Sequence, residues 1–329
     1  MPGTQVLPGG LYSAFDAGFF GSGYAASGII NHEDLVDIVT ILDSFQTPLF
    51  SSSPKIRAKD VVHSWTVDTL AATATAGVGE GMDFSGDTLT GPTRLVNVTQ
   101  IFSRHVIVSD RERDANPAGI RDMYEHQVMK EFKVIARNAE ARLFAQGPAT
   151  SGSASGLESS AVTNAPVMSS IYGFGITTAA SASGGVTTAD IVTLSTTLFK
   201  NGAEPDSIWF APESKKQFVN ATVSSGSGNV RNIAASDQRL VANVDVFETP
   251  FNQLYAVITD RFIPISTSSA TGAYYIGDRS MAKVAFFRPP QHKPMGKGGD
   301  HTRGIVLMEL TLQLDHPSSW AAMTGVTNA

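Results

Sequence analysis

The segment that most constrains the fold is RDMYEHQVMKEFKVIARNAEARLFAQG, residues 121–147, because it predicts one long helix. Its apolar residues recur at steps of three and four and form a single stripe: Ile120, Met123, Tyr124, Val128, Phe132, Ile135, Ala139 and Leu143. Gly147 and Pro148 stop the helix, so about 28 residues make a rod of roughly 40 Å. We expect four residues to form the core along its inner face: Val128, Phe132, Ile135 and Leu143.

Composition excludes several classes of site. The 329-residue chain has no cysteine, which excludes disulfides, thiolate metal sites and cysteine nucleophiles. Its net charge of −6 argues against sequence-reading contact with nucleic acid, which needs a basic face. The N-terminus lacks the basic start of a signal peptide, and no run of about 18 apolar residues could span a membrane. We therefore expect a protein that is made in the cytoplasm and stays soluble or assembles.

Catalytic and ligand-binding motifs are also missing from the sequence. The seven histidines are scattered, without the HxxxH or HExxH spacing of a zinc site. The stretch GVGEGMDFSG lacks the Lys-Ser/Thr ending of a phosphate-binding loop, and no G-x-S-x-G motif occurs. The sequence therefore predicts no catalytic residues, no cofactor and no metal. A hydrolase is the enzyme alternative, and no motif favours it.

Two extended segments precede the predicted helix. DVVHSWTVDTL alternates in the two-faced pattern of a strand, and RLVNVTQIFSRHVIVS is the expected return strand. The connection AATATAGVGEGMDFSGDTLTGPT has five glycines, and its bulky residues are Met82, Phe84 and Leu89. This pattern predicts a long two-stranded arm that has no core of its own.

Residues 1–31 form a second segment that cannot bury its aromatics against itself, so we expect a neighbouring subunit to hold it. Charged residues are only 16% of the chain, which fits a surface that lies in interfaces or is rich in Ser and Thr. RERD, residues 111–114, is either a solvated face or a source of intersubunit salt bridges. The expected intersubunit contacts are Phe15, Phe19, Phe20, Trp65, Met82, Phe84, Leu89, Arg111 and Arg113.

A mixed α/β lobe is predicted after the long helix. TTADIVTLSTTLFKNG reads as a helix capped by Thr187 or Thr188 and ended by Gly202, and PESKKQFVNATV as a helix that begins with proline. SIWFAP, VDVFETP, LYAVITD and AYYIGD are the expected strands. SMAKVAFFRP and RGIVLMELTLQLDHP are expected to return and pair beneath the long helix, around Val306, Met308 and Leu310.

This order of elements resembles that of the major capsid proteins of tailed bacteriophages. Four segments resemble them in sequence as well: HSWTVDTLAAT, TRLVNVTQIFSRHVIVSD, EFKVIARNAEARLFAQG and ELTLQLDHPSSWAAMTGV. The resemblance implies an α+β chain with the Hong Kong 97-type fold. Its implied parts are an N-terminal arm and short helix (1–53), an extended β-hairpin E-loop (54–103), a P-domain with the spine helix (104–149), an inserted α/β A-domain (150–280), and P-domain returning strands with the C-terminus (281–329).

The resemblance also implies a function. It predicts self-assembly, as pentamers and hexamers, into the icosahedral head that encloses the double-stranded DNA of a tailed phage, without sequence-specific DNA binding and without a membrane. Separate scaffolding, portal and decoration proteins are implied partners, and the virion, assembled in the host cytoplasm, is the implied location. Lys55 and Lys59 lie near the E-loop base, but no motif marks them for cross-linking. An encapsulin-like compartment shell and a phage tail-tube or sheath protein remain as alternatives.

Overall fold

The computed structural model describes residues 46–70, 80–81, 91–115, 120–145, 166–181, 185–224, 233–234, 239–240, 244–264, 274–324 and 326. Within these ranges the α-helices are α1 Pro48–Ser52, α2 Asp110–Asp114, α3 Met123–Leu143, α4 Thr188–Lys200 and α5 Pro212–Ser224. The strands are β1 Lys55–Arg57, β2 Val62–Val67, β3 Thr93–Val98, β4 Gln100–Ser109, β5 Thr177–Ala180, β6 Ser207–Phe210, β7 Ile233–Ala234, β8 Arg239–Leu240, β9 Val246–Glu248, β10 Leu254–Thr259, β11 Tyr274–Gly277, β12 Ala282–Met295, β13 His301–Leu314 and β14 Trp320–Thr324.

A four-stranded sheet in the order β1-β12-β13-β4 lies under α3, which we call the spine helix. β12 and β13 form a long antiparallel hairpin, β4 pairs antiparallel with β13, and β1 pairs parallel with β12. Alternate residues of β4 and β13 face the helix and are buried, as strand geometry requires: Phe102, Val106, Val108, Val306, Met308 and Leu310. The sheet and the helix form one body with a shared core.

The spine helix is shorter than the periodicity predicts. It spans 21 residues, Met123–Leu143, or about 31 Å. Asp122 caps its start by accepting the Tyr124 N–H at 2.8 Å, so the preceding apolar Ile120 is left outside the helix. At the other end Phe144 is fully buried, and its ring centroid lies 5.2 Å from that of Tyr275. The helix is thus followed directly by an aromatic residue, Phe144, that packs against the lobe.

The predicted return strand is two strands in different sheets. β3 pairs with β2 in a separate two-stranded sheet, whereas β4 pairs with β13. Thr99 separates them: its N–H donates to the Val61 carbonyl at 2.8 Å, and its hydroxyl donates to Glu309 Oε1 at 2.7 Å. Because Thr99 is fully buried and both of its groups are satisfied, the chain changes sheet at a fixed point.

The lobe contains a six-stranded sheet in the order β5-β14-β11-β6-β10-β9, with α4 and α5 packed against it. Its central strands β6 and β11 are buried along their whole length. Thr187 caps α4 by accepting the Asp190 N–H at 3.2 Å, and Gly202 follows the helix with a φ of 80°, where a residue without a Cβ is favoured. Both features were predicted from the sequence.

The last strand of the chain lies in the lobe. β14 pairs antiparallel with β11 and parallel with β5, whereas the predicted division at residue 280 places it with the strands beneath the spine helix. Its Trp320 is fully buried, donates from Nε1 to the Asp278 carbonyl at 3.0 Å, and covers Gly277, where a Cβ would collide with the indole. The first four residues of this strand are buried in the lobe sheet.

Candidate assembly surface

The root of the β2–β3 hairpin is fixed to the body by the side chains on its inner face. Trp65 Nε1 donates to the Leu314 carbonyl oxygen at 2.9 Å. Asn97, which is 1% exposed, donates from Nδ2 to the Leu312 carbonyl oxygen at 2.7 Å. Both acceptors lie at the end of β13, so the hairpin leaves the body in a defined direction.

Three of the nine predicted intersubunit residues are described by the structure. Trp65 is half-buried and serves its own chain, since it also packs edge-on against Phe174 with ring centroids 5.6 Å apart. Arg113 donates to Thr302 Oγ1 at 3.1 Å within its own chain, and Arg111 is exposed. The other six lie outside the described residues: Phe15, Phe19, Phe20, Met82, Phe84 and Leu89. The contact of these nine residues with a neighbour stays a prediction.

The four predicted core residues of the spine helix lie along one face at different depths. Ile135 is 2% exposed and Leu143 is fully buried. Val128 and Phe132, closer to the beginning of the helix, are half-buried and pack against the same cluster. The core is therefore deepest in the second half of the helix, where the lobe adds cover.

Among the described residues, strand β4 at the edge of the four-stranded sheet carries exposed apolar side chains. β4 is the edge strand, and its residues alternate between the core and the outer face. Ile101 and Ile107 lie on that outer face with 49% and 66% of their surface exposed. Exposed apolar groups on an unpaired strand edge favour contact with another chain.

A buried acidic pair, which the sequence analysis missed, joins three parts of the molecule. Glu140 of the spine helix is fully buried, and its two carboxyl oxygens accept the backbone N–H groups of Leu49 at 2.7 Å and Phe50 at 2.6 Å. Those N–H groups belong to the first turn of α1, where helical donors have no partner within the helix. Asp260, at the end of strand β10 of the lobe, is the second carboxyl group and is 1% exposed.

Both carboxyl groups of the pair favour the protonated form. Burial raises the pKa of Glu140 to about 9, and the neighbouring Asp260 carboxyl acts in the same direction. Burial raises the pKa of Asp260 as well, while the hydrogen bond from Glu140 opposes that rise. Asp260 Oδ1 accepts the Phe262 N–H at 2.8 Å, and Oδ2 meets no other donor among the described residues. A protonated Glu140 would be a donor for this oxygen. The signal in the sequence is Glu140 itself, an acid between Ala139 and Leu143 on the apolar stripe.

The described part of the chain offers no site for a metal and no membrane span. No group of three His, Asp or Glu side chains in it could hold a metal ion. None of its helices is long and apolar enough to cross a membrane. What the described surface does offer is an anchored hairpin root, an open apolar sheet edge and a body stiffened by the spine helix.

Comparison with known proteins gives a family match over almost the whole chain. The family model described as SU10 major capsid protein matches residues 18–327. The major capsid protein of Escherichia phage Phieco32 is 23% identical over 326 residues, which cover 85% of this chain and 90% of that protein.

Solved structures share the fold at low sequence identity. The capsid asymmetric unit of cyanophage A-1(L) has a TM-score of 0.66 and 12% identity, with 91% of this chain and 98% of that chain covered. The holo-SrpI encapsulin complex from Synechococcus elongatus has a TM-score of 0.56 and 12% identity, with 93% and 95% covered. These likenesses confirm the predicted fold class, an α+β chain of the Hong Kong 97 type.

Proposed function

This chain belongs to the SU10 major capsid protein family, and from that premise we propose that it assembles as pentamers and hexamers into the icosahedral head that encloses the double-stranded DNA of a tailed phage. It is a structural protein of the virion and not an enzyme. Assembly takes place in the host cytoplasm, with separate scaffolding, portal and decoration proteins as partners. The DNA is enclosed without sequence-specific binding.

The observation that carries the proposal is the hairpin root. Trp65 and Asn97 fix β2 and β3 to the end of β13, while the segment between the strands has almost no bulky residue with which to form a core. Such a segment gains apolar burial only on another surface. The E-loop connection, about Ala71 to Pro92, therefore lies on a neighbouring subunit.

The structure of the body also supports the proposal that the chain is a subunit of a shell wall. The spine helix spans the body and shares its core with the sheet, so load applied at one end reaches the other. The sheet edge leaves Ile101 and Ile107 open for burial between subunits. Low charge content fits a chain with much of its surface in interfaces.

Electron microscopy of the purified full chain tests this proposal, with light scattering to follow assembly. The expected result is closed shells built from pentamers and hexamers, with or without a co-expressed scaffolding protein. A stable monomer at every concentration tried, under both conditions, would contradict the proposal.

A compartment shell is the second candidate, because the chain shares its fold with the Synechococcus elongatus encapsulin. The two candidates differ in what the shell encloses. Particles from phage-producing cells should contain double-stranded DNA, detected by their ultraviolet absorbance ratio and nuclease protection. Particles that contain a defined protein cargo and no DNA would favour the compartment instead.

A further inference from the structure

Charge is divided unevenly between the extensions of this chain and its body. Residues 1–54 contain five acidic residues and neither Lys nor Arg, and residues 61–93 contain four acidic residues and neither Lys nor Arg. All 24 Lys and Arg residues lie in the rest of the chain, together with 21 of the 30 acidic residues. The chain outside the two extensions is therefore net positive, although the whole chain carries −6.

Three of the four acids of the second extension lie near its midpoint in the sequence. The β2–β3 register pairs Val67 with Thr93, so a hairpin that continues in this register has its centre at Glu80. Gly81 has a φ of 80°, as a turn at that place requires. Asp83 and Asp87 follow within seven residues of Glu80. Three of the four acids therefore lie in residues 80–87 of the sequence, the segment that we call the E-loop apex.

An open basic cleft of about 310 Å³ lies at the root of the same hairpin. Its cations are Arg57 at the end of β1, Lys59 in the following turn and Arg94 on β3, and all three are exposed. Arg94 donates to Ser64 Oγ at 3.0 Å. The one acid of the lining, Asp60, accepts its neighbouring backbone N–H at 2.7 Å.

None of the three cleft cations forms an ion pair with any other described residue. If the hairpin continued in the β2–β3 register, Glu80 would lie 13 residues beyond Val67, or about 43 Å away, which is too distant for the same chain to supply one. An apex from another subunit has no such constraint. Opposite charges on two protein surfaces steer their encounter and fix their register.

We propose that this basic cleft receives the acidic E-loop apex, Glu80 to Asp87, of a second copy of the chain. The inference rests on the proposed function and adds to it the residues that hold the loop on the neighbour. Because the cleft is open to solvent, salt screens the attraction, over a length of about 10 Å at 0.1 M ionic strength. Assembly should slow as ionic strength rises.

The test measures shell formation by light scattering and by sedimentation, with full-length chains. Arg57→Glu combined with Lys59→Glu should slow assembly by about tenfold at low salt, since like charges then meet. The matched control, Lys130→Glu combined with Lys200→Glu, makes the same change in net charge at exposed positions of the spine helix and α4. It should assemble at nearly the wild-type rate.

Compensation identifies the occupant of the cleft. We call the Arg57→Glu, Lys59→Glu variant the reversed cleft. Adding Glu80→Lys and Asp83→Lys to it should restore assembly, whereas adding Glu33→Lys and Asp34→Lys in the N-terminal segment should not. Thermal unfolding of unassembled subunits checks that the reversed cleft still folds. If it does not, Arg57→Gln with Lys59→Gln replaces it, with a smaller loss of rate and a weaker salt dependence expected.

Three results would overturn the inference. They are wild-type assembly rates for the reversed cleft, rescue by the N-terminal changes, and failure of the E-loop changes to rescue. In each of these cases the wild-type chain still forms shells, so the proposed function stands. A wild-type chain that forms no shells overturns the proposed function, and this inference with it.

Discussion

The body under the spine helix and the β2–β3 hairpin that leaves it use their residues in opposite ways. In the body, the helix and both central strands of the sheet bury their apolar faces in one core. In the hairpin, the inner face is bonded to the body, while Val62 and Thr66 on the outer face are exposed. Apolar burial is therefore concentrated in the body, whereas the outer face of the hairpin stays exposed in the subunit. Substitutions should separate the two properties, subunit stability and assembly.

The largest expected loss of subunit stability comes from Leu143→Ala. Leu143 is fully buried at the end of the spine helix, so truncation removes apolar burial, leaves a cavity, and should lower the free energy of unfolding by about 2–5 kcal/mol. Thermal or urea unfolding of unassembled subunits measures it. Met129→Ala on the same helix is the control, because Met129 is 66% exposed and its truncation should cost less than about 0.5 kcal/mol. Equal losses for the two variants would mean that the helix face is misassigned.

The acidic pair predicts the next largest effect, which depends on pH. Unfolding lowers the pKa of Glu140 from about 9 to about 4.3. Between these values the folded state holds one more proton than the unfolded state. Stability should therefore decrease as pH rises through this window, by about 1.4 kcal/mol per pH unit from this group, and level off above the folded pKa.

Glu140→Gln tests that dependence, because a glutamine amide does not titrate. Its carbonyl oxygen can still accept one of the two N–H groups and its NH2 group can donate to Asp260, while the other N–H group loses its acceptor at every pH. The stability of the variant relative to the wild type should rise steadily from pH 5 to pH 8, measured as the difference between two urea-unfolding series. Glu125→Gln, an exposed position on the same helix, should give a profile parallel to the wild type. A parallel profile for Glu140→Gln would show that the pair holds no proton in this range.

The spine helix also shows which features of the fold could be predicted from the sequence. The apolar stripe of residues 121–147 identifies the helix and its buried face, because that information is local. The ends of the helix were misjudged, since Asp122 caps it and Phe144 turns into the space beside Tyr275. Phe144 is placed by a residue more than a hundred positions away, which periodicity does not encode.

The acidic pair and the final strand show the same limit. Glu140 lies on the predicted stripe, but its partners are Asp260 and the N–H groups of α1, all distant in sequence. The apolar pattern of β14 fits either sheet, and only its pairing with β11 decides between them. The resemblance to phage capsid proteins fixed the fold class and the family, whereas the residues predicted to contact a neighbour stay predictions.

A smaller effect is expected where the hairpin meets the body. Asn97→Ala removes the bond to the Leu312 carbonyl and the acceptor of the Ser169 N–H, at a buried position. Unsatisfied buried groups of this kind cost about 1–3 kcal/mol. Thr66→Ala, on the exposed face of the same hairpin, should change the free energy of unfolding by less than about 0.5 kcal/mol. If Asn97→Ala leaves the free energy of unfolding unchanged, the hairpin root is not part of the cooperatively folding unit.

The smallest effect on stability, together with the largest on assembly, is expected from deletion of Gly77 to Gly86 in the E-loop. The described body makes its cores without these residues, and shortening a loop changes its closure entropy by less than about 1 kcal/mol. The unassembled subunit should therefore unfold within a few degrees of the wild type. It should form no shells, because the segment that we propose to lie on the neighbour is gone. A deletion variant that assembles into shells of normal thermal stability would place the E-loop outside the interface, and a variant that fails to fold would place it inside the core.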